Sequence, residues 1–151
     1  MFNERNDQLS QTDALGNVTA FEYDDGGRET KITDARGNEF NNDYDSNGNL
    51  LSIEDPLGNT ASNTVNRQGL PLRTVDVLGN QTSFTYDVDG YKTSETDSEG
   101  NLVTYVNDDN GNVLSETMRR LVDGVEVEET THYEYDAVSY THLTLPTILL
   151  V

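Results

Sequence analysis

The feature that most constrains this chain is a sequence motif that returns every 21 residues. The motif is Asp-x-x-Gly-Asn, and it occurs five times without an insertion, beginning at residues 13, 34, 55, 76 and 97. A related motif, Asp/Asn-x-x-Gly, lies between these copies and begins at residues 24, 45, 66, 87 and 108. Ten of the 12 glycines occupy the fourth positions of the two motifs. A fixed period of this length indicates an array of similar structural units.

Both motifs have the chemistry of a tight turn. An Asp or Asn side chain at the first position of a type I turn accepts a backbone hydrogen bond, and glycine at the fourth position tolerates the positive φ that follows. The segments between the turns are rich in Thr, Val, Tyr, Phe and Ile, as expected of strands. The pattern therefore predicts an all-β chain in which tandem antiparallel hairpins form a repetitive, curved or spiralling sheet. The predicted turn residues are Asp13, Gly16, Asp24, Gly27, Asp34, Gly37, Asp45, Gly48, Asp55, Gly58, Gly69, Asp76, Gly79, Asp87, Gly90, Asp97, Gly100, Asp108 and Gly111.

The register of the hairpins can be predicted from the first complete unit. If residues 24–27 form a four-residue loop, Tyr23 faces Arg28 and Phe21 faces Thr30. Directly opposed residues share a face of a sheet, so apolar side chains then collect on one face and polar side chains on the other. The exceptions, which this register places on the polar face, are Leu50, Val75 and Val113.

The apolar face carries aromatic residues at recurring positions of the repeat. Polar residues interrupt these columns, so we expect this face to line a cavity or to meet a second layer, not to form a continuous dry core. Packing within the sheet is the favoured role of the aromatic residues, and stacking on sugars or on a partner protein is the alternative. The predicted aromatic column consists of Phe21, Tyr23, Tyr44, Phe84, Tyr86, Tyr105, Tyr133 and Tyr135.

Composition excludes several classes of protein. Hydrophobic residues make up only 33% of the chain, too few for a thick core. The net charge of −19 argues against nucleic-acid binding, which needs clusters of Lys and Arg. No apolar run approaches the length of a membrane-spanning helix, so no membrane insertion is predicted. The absence of Cys excludes disulfides and thiol catalysis.

We find no pattern of residues that predicts catalysis or a cofactor. His132 and His142 lie ten residues apart without the spacing of a metal site, and no Ser-His-Asp arrangement can be inferred. The acidic turns suit calcium chemically, but they match neither the EF-hand loop nor the nine-residue calcium repeat. We therefore expect a protein that is not an enzyme and has no cofactor, with weak calcium binding as the open alternative.

The array changes character toward its C-terminal end. The strict period stops after Glu116, and the Asp123-Gly124 pair indicates a two-residue hairpin turn. The pattern resumes at Tyr133, about seven residues late. We predict a repeat array over residues 1–137 and a non-repeat tail over residues 138–151. The tail resembles translated adapter sequence, and an apolar C-terminal strand is the alternative. Because the repeat runs through Met1 without a capping unit, we also expect the chain to be a piece of a longer array.

The two motifs in phase resemble a known family. Tyr-Asp-x-x-Gly-Asn followed by Asp-x-x-Gly-Asn, at a period of about 21 residues, resembles the YD repeats of Rhs proteins, of Tc insecticidal toxin shells, of wall-associated contact toxins and of teneurins. The resemblance covers roughly residues 1–137. The chain departs from the family pattern in the third repeat, which has Val65-Asn66, and in the fifth repeat, which has Asn107-Asp108.

The resemblance implies both a fold and a function. In that family long arrays of hairpins wind into a hollow β-shell, which in bacterial members encloses a C-terminal toxin domain. The chain is therefore expected to be a structural segment of a secreted or cell-surface bacterial protein. Its expected partners are the flanking repeats of the same chain and an enclosed toxin domain. The alternative is an extracellular binding or adhesion module for carbohydrate, a partner protein or calcium.

Overall fold

The described part of the chain consists of β-strands joined by tight turns. The structure is a computed structural model, and it describes residues 1–135, 142–143 and 147–150. The strand pairs within each of the two compact units described below are antiparallel, so the prediction of an all-β chain of successive hairpins is confirmed. The strands are β1 (Ser10–Thr12), β2 (Val18–Tyr23), β3 (Glu29–Thr33), β4 (Glu39–Tyr44), β5 (Leu50–Glu54), β6 (Thr60–Val65), β7 (Pro71–Val75), β8 (Gln81–Tyr86), β9 (Lys92–Thr96), β10 (Leu102–Asn107), β11 (Val113–Val122), β12 (Val125–Glu134), β13 (His142–Leu143) and β14 (Thr147–Leu150).

The chain divides into two compact units. Unit 1 comprises residues 1–69 and 74–79, and unit 2 comprises residues 70–73 and the chain from residue 80 onward. In unit 1, β1 to β6 pair in chain order. One face of this sheet carries the directly paired Phe21, Ile32 and Phe40, and the other carries Glu22 and Lys31. The apolar and polar faces expected from the alternation are therefore present in this unit.

In unit 2, β8 to β12 also pair in chain order. The last hairpin differs from the others, because β11 and β12 are ten residues long and the other strands of units 1 and 2 up to β10 have three to six. Asp123 and Gly124 form its tip with φ values of 53° and 79°, as a two-residue turn of type I′ requires. The pairs beyond Arg119 extend past the end of β10, so the extra residues lengthen this hairpin.

The predicted tail falls mostly outside the described residues. Of residues 138–151, only the backbone of β13 and β14 is described, and both strands pair with β12. The described residues do not test the prediction of a non-repeat tail. Residues 136–137, where the predicted array ends, lie outside the described residues.

The predicted hairpin register is wrong by one residue at the loop. The Asp24 N–H donates to the Arg28 carbonyl (2.9 Å), and the Gly27 N–H donates to the Asp24 carbonyl (3.0 Å). The closing pair is therefore Asp24 with Arg28, and Tyr23 pairs with Glu29. Three residues form the loop, because glycine in the left-handed conformation adds a bulge after the type I turn.

A second bulge restores the alternation in four of the hairpins that turn at the Asp/Asn-x-x-Gly motif. Thr30 is skipped in the pairing of β2 with β3, so Phe21 pairs with Ile32 instead of Thr30. As a consequence Leu50 pairs with Tyr44, and the assignment of Leu50 to the polar face is wrong. Val113 pairs with Asn107 and is reassigned in the same way. The skipped residues stand at one repeat position: Thr30, Leu51, Thr93 and Leu114.

No side chain among those described is fully buried. The aromatic face is half-buried at Phe21 and Tyr23, where exposed and half-buried residues alternate along β2. The free energy of folding must therefore come from partial burial, ladder hydrogen bonds and turns that repeat along the chain, as in other linear arrays. None of the described residues forms a helix that is long and apolar enough to cross a membrane.

Candidate functional site

The Asp-x-x-Gly-Asn turns are built by one carboxylate and one amide. In the first turn, Oδ1 of Asp13 accepts the N–H groups of Leu15 (2.8 Å) and Asn17 (2.9 Å). The other carboxylate oxygen accepts the Asn17 side-chain Nδ2 at 2.7 Å. The Gly16 N–H closes the turn on the Asp13 carbonyl at 3.1 Å. Both carboxylate oxygens are thus used to hold the turn.

The same bonds recur along the array, and they give the asparagine a role that the sequence did not suggest. Asparagine is visible in the fifth position of the motif, but only the Asp and Gly positions carry a known turn preference. The signal in the sequence that could have revealed this bond is a polar side chain four residues after a capping Asp. Asparagines that donate to a capping Asp include Asn17, Asn38, Asn49, Asn59, Asn101 and Asn112.

These bonds stabilise the charged form of the capping carboxylates. The side-chain amide of Asn101 is the largest cause that lowers the pKa of Asp97 below its usual value, and the backbone N–H groups of Asn101 and Glu99 add to it. At Asp24 the backbone N–H of Arg28 is the largest cause. A hydrogen bond to an ionised carboxylate favours ionisation, which accounts for the direction. The capping residues whose pKa is lowered are Asp13, Asp24, Asp34, Asp45, Asp55, Asp97 and Asp108.

The glycines of both motifs adopt a left-handed backbone. Their φ values lie between 77° and 93°, a range that costs any residue with a Cβ about 1–2 kcal/mol. The glycines placed in this way are Gly16, Gly27, Gly37, Gly48, Gly58, Gly69, Gly79, Gly90, Gly100 and Gly111.

The two sets of turns differ in how closely they are packed. A Cβ on Gly111 would overlap the ring of Tyr91, and a Cβ on Gly69 would lie 2.7 Å from Asn49 Oδ1. In both contacts the side chain belongs to the residue 20 positions before the glycine, in the preceding repeat. The Asp-x-x-Gly-Asn glycines are different, since no described atom lies within 4 Å of a Cβ at Gly16, Gly37, Gly58, Gly79 or Gly100.

The tyrosines of two Tyr-Asp pairs, Tyr23 and Tyr44, tie their hairpins to the preceding ones. The Tyr44 hydroxyl donates to the Glu29 carbonyl at 3.1 Å, and the Tyr23 hydroxyl donates to the Gln8 carbonyl at 3.1 Å. Each donor lies 15 residues after its acceptor. Glu29 stands beside the bulge, where a carbonyl leaves the ladder and needs another donor. The tyrosine therefore satisfies a backbone group that the fold itself exposes.

Repeats that lack this tyrosine make the contact with an asparagine side chain instead. Where Val65 occupies the position, Asn63 donates to the Leu50 carbonyl at 3.3 Å. In the fifth repeat the Asn107 side chain donates to the Lys92 carbonyl at 3.0 Å. The two departures from the Tyr-Asp pattern thus preserve the contact between neighbouring hairpins.

The remaining aromatic residues surround charged side chains or lie half-buried on the same face. The Lys92 amino group lies 4.6 Å from the ring centre of Tyr105 and 5.9 Å from that of Phe84, and it pairs with Glu95 at 2.7 Å. Burial raises the pKa of Tyr86.

Tyr133 and Tyr135 make the corresponding contacts in the last hairpin. Tyr133 donates to a carboxylate oxygen of Glu116 at 3.3 Å. Burial is the largest cause that raises the pKa of the Tyr133 hydroxyl, and the charge of Glu116 adds to it. Tyr135 donates to the Val113 carbonyl at 2.9 Å. These tyrosines therefore use their hydroxyl groups inside the fold.

Arg28 provides a further link between hairpins that the sequence did not reveal. Its Nε contacts Asp24 Oδ2 at 2.6 Å within its own turn, and its Nη1 donates to the Asp45 carbonyl of the next repeat at 2.8 Å. The guanidinium also lies 5.2 Å from the ring centre of Tyr44. Arginine is planar and rich in donors, which allows one side chain to make all three contacts.

Groups that could perform chemistry are not brought together within the described part of the chain. No three or more of its His, Asp and Glu side chains form a cluster that could hold a metal ion. The turn carboxylates are the best candidates for calcium, but turn N–H groups and asparagine amides already occupy their oxygens. The arrangement holds turns in place and joins neighbouring hairpins.

Comparison with known proteins points in the same direction. The profile of the RHS Repeat family matches residues 2–39 and 66–102. The Tc holotoxin pore of Photorhabdus luminescens, carrying a TccC3 mutation, superposes with a TM-score of 0.67 at 18% identity over 98% of this chain. The crystal structure of TcdB2-TccC3-TEV gives a TM-score of 0.67 at 19% identity over 99%. No curated protein matches the sequence.

The likeness to these structures concerns the fold, and it covers a small part of them. This chain spans 9% of each of the two matched chains. The matches to the solved structures extend over nearly the whole chain, including residues 40–65, which lie between the two segments matched by the family profile.

Proposed function

Because this chain is a member of the RHS-repeat, or YD-repeat, family, we propose that it is a stretch of the wall of a β-shell that encloses or presents a toxin or effector domain. The repeat supports a structural role for the chain. The enclosure of a toxin, the flanking repeats as partners and a secreted or cell-surface location are parts of the proposal, and they rest on the family.

The observation that carries the proposal is a hydrogen bond that recurs between neighbouring hairpins. Tyr23, Tyr44 and Asn107 each donate to a backbone carbonyl 15 residues earlier. A bond that repeats with the sequence period makes a wall that can be lengthened without changing its construction. Such a wall derives its stability from neighbouring units, as expected for a linear array.

We also propose that the chain is not an enzyme and uses no cofactor. Its acidic side chains serve turns, and the surrounding negative charge would attract calcium only diffusely. The melting temperature in calcium chloride and in sodium chloride of equal ionic strength provides the test. Equal melting temperatures support the proposal, and a rise confined to calcium contradicts it.

An adhesion or binding module remains the second function to be tested. Stacking on sugars needs free aromatic faces, whereas the Tyr23 and Tyr44 side chains are half-buried and their hydroxyls donate to backbone carbonyls. This favours the structural role. Retention of the chain on a glycan array would favour the binding module.

A chimera tests the wall function directly. The segment of the TcdB2-TccC3 protein that matches this chain is replaced by residues 1–135, and proteolysis of the chimera is followed over time. We expect the chimera to resist protease as well as the unmodified protein does. The control replaces the same segment by a flexible linker of equal length. Equal sensitivity of the chimera and the linker control would contradict the proposal.

A further inference from the structure

The hairpin of β11 and β12 in unit 2 extends past its neighbouring strands at the tip. The pairing of β10 with β11 ends at Leu102 and Arg119, and the backbone of β14 pairs with β12 only as far as Val127. Among the described residues, the pairs within residues 121–126 are made by this hairpin alone. A two-stranded ribbon without a neighbour is at best marginally stable. The tip is therefore the part of the hairpin that opens most easily.

The base of this tip carries the two adjacent basic residues of the chain, Arg119 and Arg120. Arg119 Nε contacts Glu128 Oε2 at 2.6 Å, in an exposed ion pair of the kind that contributes little to stability. The Arg120 side chain is exposed, and Leu121 is 73% exposed. The peptide bond between Arg120 and Leu121 therefore lies where the supported part of the hairpin ends and the unsupported tip begins.

A groove opens beside this bond, on the side of β10. Its volume is about 340 Å³, and its lining includes Leu102, Arg120 and Leu121. The groove exists because β11 continues where β10 has ended, so that the pairing with β10 does not cover residues 120–122. An uncovered strand edge is a surface on which another protein can pair with an extended segment. A protease that binds its substrate in an extended conformation can therefore approach the bond from this groove.

From this geometry we infer that the Arg120–Leu121 bond is a processing site for an endoprotease that recognises paired arginines. Water adds its hydroxyl group to the Arg120 carbonyl carbon and its other hydrogen to the Leu121 nitrogen as the bond between these two atoms breaks. Opening the tip requires only the loss of the pairs that join residues 120–122 to residues 125–127. The rate of such a cleavage follows the population of the opened form.

Two other exposed arginines, Arg36 and Arg67, lie in tight turns. Asp34 Oδ1 accepts the Arg36 N–H at 2.8 Å, and the Gly37 N–H donates to the Asp34 carbonyl at 3.0 Å. The Gly69 N–H closes the turn of Arg67 in the same way, at 3.0 Å. A closed turn must unfold before its residues can lie extended in an active site. We therefore expect one preferred cleavage site among the nine Lys and Arg residues of the chain.

Cleavage at this bond leaves the two products joined. The part of β11 up to Arg119 remains paired with β10. Residues 128–132 of β12 pair with residues 115–119 of β11, all of which precede the cut. Ladder hydrogen bonds therefore hold the products together until the hairpin unfolds. The inference does not depend on the proposed shell function, because it rests only on this hairpin.

Limited proteolysis of the folded full chain tests the inference. The probes are trypsin and a kexin-type protease, which requires paired basic residues, and the products are identified by intact mass spectrometry. The variant is Arg119→Gln with Arg120→Gln. The matched control is Arg36→Gln with Arg67→Gln, which removes two exposed arginines from turns.

We expect the first products of both proteases to be residues 1–120 and 121–151. Loss of the recognised side chains should slow this cut about tenfold or more in the variant, and the control should be cut within about twofold of the original rate. Arg119→Gln alone should slow the kexin-type protease about tenfold and trypsin less than about threefold. A first cut after Arg73 or another basic residue, equal rates in variant and control, or resistance to the kexin-type protease would overturn the inference.

A disulfide tests whether the tip must open. Leu121 and Glu126 are directly paired, at a separation that a disulfide can span, so Leu121→Cys with Glu126→Cys locks the tip of a chain that has no other cysteine. The oxidised form should be cut about tenfold more slowly than the reduced form, because the lock lowers the population of the opened tip. Equal rates in the two forms would overturn the assignment of cleavage to an opened tip.

Discussion

The Tyr135 hydroxyl donates to the Val113 carbonyl at 2.9 Å, although the two residues are 22 apart in sequence. Tyr44 makes the equivalent bond to Glu29 across 15 residues. The difference of seven is the number of residues by which the last hairpin exceeds the repeat. The chain therefore absorbs the extra residues within the hairpin and keeps the bond to the preceding hairpin.

Removing single tyrosine hydroxyls should separate essential bonds from redundant ones. Tyr135→Phe leaves the Val113 carbonyl without its tyrosine donor, and we expect a loss of about 1 kcal/mol in the free energy of unfolding. Tyr44→Phe should cost less, because Asn42 also donates to the Glu29 carbonyl at 3.0 Å. Urea unfolding followed by circular dichroism measures both. The two substitutions remove the same atom, so each serves as the control for the other.

The redundancy has its own test. Asn42→Ala combined with Tyr44→Phe should cost more than the sum of the two single changes, because only the double variant leaves the Glu29 carbonyl without either donor. Strict additivity would contradict the view that Asn42 and Tyr44 substitute for each other.

The sequence predicts the turns and fails at the bulges, for a physical reason. Asp and Gly have local preferences that mark a turn wherever they occur at this spacing. The residues skipped in pairing, such as Thr30 and Leu51, share no chemistry, and only the geometry of the loop and ladder places a bulge there. The register was therefore off by one at the loop, and Leu50 was assigned to the wrong face.

Contacts between hairpins were hidden for a related reason. The bond from Tyr44 to the Glu29 carbonyl joins residues that nothing in the sequence links, since a backbone acceptor has no signature. The role of Asn101 toward Asp97 was closer to reach, because both residues belong to one five-residue motif. Local chemistry could thus be inferred from the sequence, and contacts that depend on the assembled sheet could not.

Acid should destabilise the chain through its capping carboxylates. The pKa values of Asp13 and six other capping residues lie below the ordinary value of 3.8 in the folded chain. Below that pH the unfolded chain takes up protons first, so the stability present at neutral pH is lost as the pH falls through the folded pKa values. The urea midpoint should therefore be constant down to about pH 5 and fall as the pH drops through and below 3.8.

The asparagine amides should account for part of that pH dependence. Asn101→Ala removes the donor to Asp97 and should move the Asp97 pKa up toward its ordinary value, as measured by carboxyl NMR titration. The control is Asn110→Ala, because Asn110 bonds to Asp108 through its backbone N–H at 2.9 Å and that bond survives truncation. An unchanged Asp97 pKa in Asn101→Ala would contradict the role of the amide.

Alanine substitutions at two glycines should distinguish backbone strain from packing. Gly100 and Gly111 share a φ near 85°, so each substitution costs about 1–2 kcal/mol from the backbone alone. Gly111→Ala should cost more, because its Cβ would overlap the Tyr91 ring, whereas Gly100 faces no described atom within 4 Å. Tyr91→Ala in the Gly111→Ala background should recover the extra cost. Equal losses in the two alanine variants would show that the Tyr91 contact has no energetic weight.

Restoring the 21-residue period in the last hairpin should preserve its attachment to the sheet. Replacing residues 118–129 by Asp-Pro-Leu-Gly-Asn places the new turn between Thr117 and Thr130, which are already paired. This reproduces the pairing of Thr33 with Glu39 around turn 34–38, and it reduces the separation of Tyr135 and Val113 to the 15 residues found in other units. We therefore expect the shortened chain to fold with the Tyr135 bond intact, and Tyr135→Phe to cost the same in both backgrounds by urea unfolding. If the substitution became neutral in the shortened chain, the bond would depend on the long hairpin and not on the repeat.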